Sequence, residues 1–446
     1  MQKLYRPLIT WGKRAARSIA FLPVPMMFTG LLLGIGLFHF ETNTDLSAKI
    51  AGELPALMIK SQETARSILS IFIGGLITLV VFTFTQLMSL FNQVANSYSP
   101  RLLPIFTGDR SLQFTMGFYL GTIVMTLIVL LSIRSDDAGY VPNLSVLLCV
   151  ICGVASLMIF VYFVTNISGK IRVDAIIERV YRQGVSWIQK EEEAQNFCER
   201  PIPEEVSNWP VISSPTDGFL GSVDYAQLST MAKKFDTRLY ICTEKGDYIP
   251  EDLPLLQCER SLNQEQVEQL ISAVSPIEGK FNDWYLPPVN LLVDIALKAM
   301  SPGINDPGTA INVIDRLTGL LGRLMSMPIY NHYQSEDGGE VMMSKRSYQS
   351  ILSEVMQNMR TYCQGDVVVM RRLFRMLYQL YSVTGDHQPH KKIVLDEIHY
   401  LLADSRQYIT NAGDRRSIAK DVRNYRKQSQ RYLNQMDFLI DEPTMV

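Results

Sequence analysis

Four long apolar runs dominate the first 170 residues of this 446-residue chain. A helix needs about 20 mainly apolar residues to cross the hydrocarbon core of a bilayer. A single run could be the core helix of a water-soluble protein, but four in succession predict an α-helical membrane domain over 1–170. The net charge of −2 gives no sign of a nucleic-acid partner. The runs cover residues 18–38, 68–91, 112–133 and 144–167, and none has a charged residue in its central part.

The first run has the basic start of a signal peptide, but its apolar stretch is longer than a usual signal core and no A-x-A site follows. We therefore predict a retained helix, with Pro23 and Pro25 at its entry or at a kink. Basic residues near the ends of the spans predict the orientation, with both termini cytoplasmic. They precede the first run, separate the second from the third, and follow the fourth: Lys3, Arg6, Lys13, Arg14 and Arg17; Arg101 and Arg110; Lys170, Arg172, Arg179 and Arg182.

The second run carries a polar stripe without charge. At 100° per residue, six small or polar residues fall within about 60° of one another. Such a face can line a water-filled path, or it can hydrogen-bond neighbouring helices, and both hypotheses stay open at this point. The stripe consists of Gly74 and of the candidate pore-lining residues Thr78, Thr85, Ser89, Asn92 and Asn96.

Arg101 lies in a proline-bounded segment, 99–106, which the orientation puts at the inner face of the membrane. We predict it to be an inner-face anchor, and pairing with a lipid phosphate, a ligand anion or a carboxylate is the alternative.

Two further patterns concern helix packing. The pairs Gly30 with Gly34 and Gly117 with Gly121 have the spacing that lets membrane helices approach closely, within one subunit or between subunits. Cys149 and Cys152 form a CxxC inside an apolar run, which favours packing over redox or metal chemistry.

The sequence pattern of the remaining residues, 171–446, predicts an α+β region. The fourth helix is expected to continue through 171–189, and an acidic, proline-containing linker completes 171–210. Short alternating runs over 211–260 predict a small β-rich domain, a barrel or sandwich. From 261 to 446 the pattern is mainly helical, with Asn263 as the cap of its first helix. Later helical stretches are predicted over 347–381 and 391–409, and a solvated loop at 335–340 precedes them. A basic tail over 414–431 could contact anionic lipid or form a solvated helical face.

The segment 301–310 contains two prolines and two glycines, and it predicts a helix stop, a tight turn and a new helix capped by Asp306 or Thr309. The alternative is a ligand or ion site. Its candidate residues are Asp294, Ser301, Asn305, Asp306 and Thr309.

Support for catalysis is weak, because the chain has no Walker, GxSxG, HExxH or GxGxxG sequence. His387 and His390 form an HxxH, but no further His or Cys pair completes a zinc site. We predict no cofactor and no metal.

The run 293–310, VDIALKAMSPGINDPGTA, resembles the characteristic motif of the bacterial DUF2254 family of predicted membrane proteins. Ser99-Pro100-Arg101 and the glycine pair of the third span add to the resemblance. Met300 departs from the motif, where leucine is usual, and the last 60 residues match weakly. The resemblance implies a bacterial inner-membrane location and four spans followed by a cytoplasmic region. It supplies no catalytic residues.

Three functions remain in competition. The first, which is the leading hypothesis, is an oligomeric channel or transport-related protein whose second span lines the pore and whose soluble region forms a cytoplasmic vestibule or gate, with the bilayer, further copies of the chain and ions as partners. The second is a membrane-anchored sensor or scaffold that binds a small cytoplasmic ligand or a protein at 301–310. The third is an enzyme at the membrane face that uses Asp294, Asp306 or the histidines.

Overall fold

The computed structural model describes residues 18–43, 59, 61–133, 141–170, 172–274, 276–277, 284–336, 338–384 and 388–428. The basic residues before Ser18, His387 and the end of the basic tail lie outside the described residues. The chain divides into two compact units, 1–175 and 176–446, which are described one at a time.

The first unit is helical, and four of its described helices, α1, α2, α4 and α5, are long and apolar enough to cross a bilayer. Each contains most of one predicted span. Helix α1 begins at Pro23, where a missing N–H costs the helix nothing. The helices are α1 Pro23–Asn43, α2 Gln62–Ser97, α3 Leu103–Thr107, α4 Arg110–Ser132 and α5 Asn143–Lys170, with a 3-10 turn at Pro100–Leu102.

The paired glycines hold α1 against α4. A Cβ added at Gly30 would overlap the carbonyl oxygen of Gly121, and one added at Gly121 would lie 2.7 Å from that of Met26. A Cβ at Gly34 would lie 2.9 Å from Ile128, and one at Gly117 would lie 2.5 Å from the Met26 sulfur. Both glycine pairs therefore serve packing within one chain, because only a hydrogen fits at these crossings.

Polar contacts join the ends of these helices. The buried carboxylate of Glu41 accepts the backbone N–H groups of Leu144 and Ser145, at 2.8 and 3.2 Å, and the Ser145 hydroxyl. It thereby caps the start of α5 from the end of α1. The Arg66 guanidinium donates to the carbonyl oxygen of Ile133 at 2.6 Å, just beyond the end of α4.

The second unit begins within α6 Val173–Glu192. The predicted continuous helix is interrupted, because α5 ends at Lys170 and Arg172 is not helical. The remaining helices are α7 Tyr225–Lys234, α8 Gln264–Val274, α9 Leu286–Ala299, α10 Pro307–Ser326, α11 Tyr348–Cys363, α12 Val367–Val383, α13 Gln388–Tyr408 and α14 Ala412–Gln428. The strands are β1 Phe197–Cys198, β2 Val211–Ser213, β3 Gly218–Phe219, β4 Leu239–Ile241, β5 Tyr248–Ile249, β6 Pro254–Cys258, β7 His332–Tyr333 and β8 Val341–Met343.

The predicted small barrel or sandwich is not confirmed, because the described strands form no closed barrel. Six of them make an open sheet in the order β1-β7-β8-β4-β6-β2, and β3 pairs with β5. All pairings are antiparallel except that of β4 with β8, where Leu239 faces Val341. The sheet thus takes three of its strands from outside 211–260. The finer division of the second unit into domains stays a prediction.

One further expectation is corrected by local chemistry. The helical pattern over 347–381 is broken at Gln364–Asp366, and α12 restarts because Asp366 accepts the N–H of Val369 at 2.9 Å. The loop predicted at 335–340 connects β7 and β8, which pair as antiparallel neighbours. The cap predicted at Asn263 is confirmed: its side chain accepts the N–H of Gln266 at 2.9 Å, and the Gln266 amide accepts the N–H of Asn263 at 3.0 Å.

Candidate functional site

The polar stripe of α2 lies on the side of the helix that faces away from the rest of the first unit. All five candidate pore-lining residues are exposed, and so is Gly74. The opposite side of α2 is buried, as Leu76, Thr83, Leu87 and Val94 show. Hydrogen bonding to neighbouring helices of the same chain therefore does not account for the stripe. Its lining of a pore stays a prediction.

The hydroxyl groups of the stripe are ready to accept hydrogen bonds. Thr78 donates to the carbonyl oxygen of Gly74, and Thr85 donates to that of Val81, both at 2.9 Å. Each hydroxyl donor is satisfied within its own helix, so the oxygen lone pairs remain available to water or a cation. From Thr78 to Asn96 the stripe extends about 27 Å along the axis, close to the thickness of the hydrocarbon core.

Two glutamines widen this face beyond what the periodicity indicated. Gln86 and Gln93 are exposed, and at 100° per residue they lie beside Ser89. An amide inside an otherwise apolar run is the sequence signal that could have identified them.

Gly74 and Gly75 have free space around them, unlike the glycines at which the long helices pack against one another. A Cβ added at either would meet nothing within 4 Å, whereas one at Gly153 would overlap the ring of Phe72. A glycine inside a helix costs roughly 1 kcal/mol relative to alanine. Packing within the first unit therefore does not explain why two adjacent glycines stand in the middle of α2.

Arg101 is exposed at the end of α2, in the 3-10 turn that follows it. The Ser99 hydroxyl accepts the N–H of Arg101 at 3.2 Å and starts this turn. Leu102 and Phe106 are buried and fix the segment against the helices. The side chain of Arg101 is thus held at the surface, and its role as an inner-face anchor stays a prediction.

The segment 301–310 consists of the connection from α9 to α10, which is exposed over 302–306, and of the first turn of α10, in which Thr309 and Ala310 are buried. Asn305 adopts a left-handed conformation with φ of 47°, which asparagine tolerates better than most residues. Asp306 caps α10: its carboxylate accepts the Thr309 hydroxyl at 2.6 Å and the N–H of Thr309 at 3.1 Å. These bonds hold the pKa of Asp306 below its usual range.

The other candidates of this segment have structural surroundings. The hydroxyl of Ser301 donates to the carbonyl oxygen of Lys298 at 2.6 Å, and Asp294 lies half-buried in α9. The capping geometry accounts for Asp306 and Thr309, so the ligand or ion site at this turn stays a prediction. His390 packs beside the ring of Tyr348, with centroids 5.1 Å apart, and Cys149 is buried among apolar side chains of the first unit.

An ionic cluster in the second unit went unnoticed in the sequence, since its members are far apart in the chain. Arg346, between β8 and α11, donates to Glu244 at 2.7 Å, to Asp247 at 2.8 Å and to Glu354 at 3.0 Å. The backbone N–H of Arg346 also donates to Glu244 at 2.8 Å. Burial raises the pKa of Glu244, and the bonds from Arg346 oppose that rise.

Comparison with known proteins decides the family. The family model described as "Predicted membrane protein (DUF2254)" matches residues 16–379, which include the four long helices and the segment 301–310. The chain belongs to the DUF2254 family. The match ends at residue 379, so the last part of this DUF2254 protein lies outside it.

Relatives of this DUF2254 protein occur in mycobacteria. It is 23% identical, over 327 residues, to uncharacterized proteins of Mycobacterium bovis and Mycobacterium tuberculosis, with 70% of this chain covered. The alignment spans 63% of the length of these relatives, less than two thirds. No solved structure matches the chain.

Proposed function

We propose that this protein is an oligomeric channel or transport-related protein of a bacterial inner membrane, with a pore lined by α2. The single observation that supports the proposal is the outward direction of the polar stripe. Thr78, Thr85, Ser89, Asn92 and Asn96 are exposed on the first unit, opposite the face by which α2 packs.

A polar face of this length is costly against lipid. An amide or hydroxyl that lacks a partner in hydrocarbon costs several kcal/mol, and the side-chain amides of Asn92 and Asn96 each bring two donors. Water in a pore between copies, or a polar contact with a second copy, removes that cost. Closed rotational symmetry is the common arrangement of such assemblies, and it brings the same face of every subunit to one axis.

The glycines of α2 support close approach between copies. Gly74 belongs to the stripe, and neither it nor Gly75 is required by packing within the chain. Small residues let the backbones of membrane helices approach one another closely. Around a symmetry axis they would form the narrowest contact between neighbouring copies of α2.

The proposed pore has little intrinsic charge selectivity. The stripe has no Asp, Glu, Lys or Arg between Gly74 and Asn96, so its hydroxyl and amide groups would coordinate small ions of either sign only weakly. The basic loops favour a cytoplasmic position for both termini, and in that orientation the second unit would serve as a vestibule or gate.

Ion flux from the purified full chain in liposomes tests the proposal. Ser89→Leu and Thr85→Val change the stripe, and both are expected to block or alter the flux of the wild-type protein. Thr83→Val is the matched control on the buried side of α2, where the hydroxyl has no hydrogen-bond partner among the described residues. Valine fits there, and flux should be unchanged.

The outcomes separate the hypotheses. Flux that responds to Ser89→Leu and Thr85→Val but not to Thr83→Val supports a pore lined by the stripe. If the wild-type protein gives no flux under voltage, membrane tension or a salt gradient, the channel proposal fails.

A further inference from the structure

A groove in the second unit runs between α10 and α12. Its volume is about 940 Å³, within the range of small-molecule sites. Three arginines line it, Arg323 from α10 and Arg372 and Arg375 from α12, and Tyr181 of α6 also contributes to the wall. Asp315 and Glu192 are the carboxylates at the wall, so the arginines outnumber them.

The arginines have different roles. The guanidinium of Arg372 is bound in a fork by Asp315, with Nε 2.5 Å from Oδ1, and this pair neutralises both groups. Arg323 and Arg375 are exposed, and neither forms an ion pair within the part of the chain that the structure describes. The groove therefore offers two guanidinium groups whose donors are available to an anion.

Small residues keep the floor of the groove open. Gly319 is required by Tyr181, since a Cβ there would lie 3.0 Å from the tyrosine oxygen. At Gly322 a Cβ would lie 3.9 Å from Leu380, an ordinary contact, so a side chain at this position is tolerated by the fold. The hydroxyls of Ser326 and Ser382 donate to backbone carbonyl oxygens of their own helices. The charged donors that line the site are the guanidinium groups of the arginines.

We propose that this groove binds a phosphate group, carried by a small phosphorylated solute or by a lipid head group. The planar fork of arginine matches phosphate oxygens and forms charge-assisted hydrogen bonds with them. Arg323 and Arg375 hold the phosphate from the two sides of the groove, and the Arg372–Asp315 pair holds the wall between α10 and α12. This site is independent of the proposed pore.

Binding to the full chain in nanodiscs tests the proposal with two probes. Inorganic pyrophosphate is titrated by calorimetry into protein in phosphatidylcholine nanodiscs. In the second arm the protein is captured on vesicles of phosphatidylcholine with and without phosphatidic acid. Pyrophosphate binding identifies a soluble phosphorylated ligand. Vesicle capture that increases with phosphatidic acid, without any binding of pyrophosphate, identifies a lipid head group.

Variants assign the binding to the groove. The double variant with Arg323→Gln and Arg375→Gln should lower the affinity for whichever probe binds the wild-type protein roughly tenfold to a hundredfold, as expected for lost charge-assisted hydrogen bonds. Gly322→Leu should weaken binding of the same probe without a change of charge, because the new side chain occupies the groove. Arg415→Gln with Arg416→Gln removes two exposed arginines of α14 and should leave binding within about twofold.

Two results would overturn the proposal. One is the absence of binding by both probes at millimolar concentration. The other is an equal loss in the α14 control, which would show that only overall charge attracts the anion.

Discussion

Replacing Arg346 by methionine removes the cation from the ionic cluster of the second unit. Methionine has a similar length and no charge, so the change tests the electrostatic contribution with little loss of packing. The structure allows the cost to be assigned, because the three carboxylates around Arg346 differ in exposure. The side chain of Glu244 is 5% exposed, whereas those of Asp247 and Glu354 are 41% and 47% exposed.

Glu244 dominates the expected cost. Exposed carboxylates such as those of Asp247 and Glu354 stay hydrated when a partner is lost, and their pairs contribute about 0–1 kcal/mol each. Removing one partner of a buried pair costs about 3–5 kcal/mol, because the other charge stays buried. In Arg346→Met, the backbone N–H of residue 346 would remain as a donor to Glu244. We therefore expect a loss of about 3–5 kcal/mol, a large part of the stability of an ordinary domain.

The assay is unfolding of the full chain in detergent by urea, followed by tryptophan fluorescence, at several pH values. Burial already raises the pKa of Glu244, and loss of Arg346 should raise it further. A carboxyl with a raised folded pKa gains stability as pH falls through that pKa. The deficit of Arg346→Met should therefore be largest near about pH 8 and should shrink toward about pH 5.

A double-mutant cycle supplies the decisive comparison. In a Glu244→Gln background no buried charge is left unpaired, so Arg346→Met should cost only about 1 kcal/mol and the coupling should reach about 2 kcal/mol or more. The reasoning is refuted if Arg346→Met costs less than about 1 kcal/mol near neutral pH, or if its cost is the same in both backgrounds.

Two further predictions concern helix packing and helix capping. Gly30→Ala should destabilise the first unit by about 1–3 kcal/mol, since its methyl group would overlap the carbonyl oxygen of Gly121, while Gly36→Ala on the same helix meets no neighbour and should be neutral or stabilising by up to about 1 kcal/mol; melting temperatures in detergent compare them. Asp306→Ala should cost about 1 kcal/mol at neutral pH, and Asp306→Asn less, in urea unfolding. Because the folded pKa of Asp306 is lowered, the stability from its charge is lost as pH falls through that pKa, and the difference between the wild-type protein and Asp306→Asn should vanish in acid.

Local signals predicted the elements that depend on a few neighbouring residues. The four spans follow from apolar runs, and the starts of α8 and α10 follow from Asn263 and Asp306, whose side chains accept N–H groups of the next turn. The break before α12 escaped prediction, because the helical pattern continued across Gly365. Strands of two or three residues, such as β1 and β7, are too short for periodicity to identify them.

The sequence by itself determined that this chain has four bilayer-length helices and that α2 has a polar stripe, because length and angular spacing are properties of a single segment. Only the tertiary structure decided which face of α2 packs and which is exposed, and that the glycines of α1 and α4 meet within one chain. The same holds for the pairing of Arg346 with Glu244 and for the arginines gathered between α10 and α12. These features depend on contacts between residues distant in sequence, and the free energy of such contacts is not encoded in any one segment.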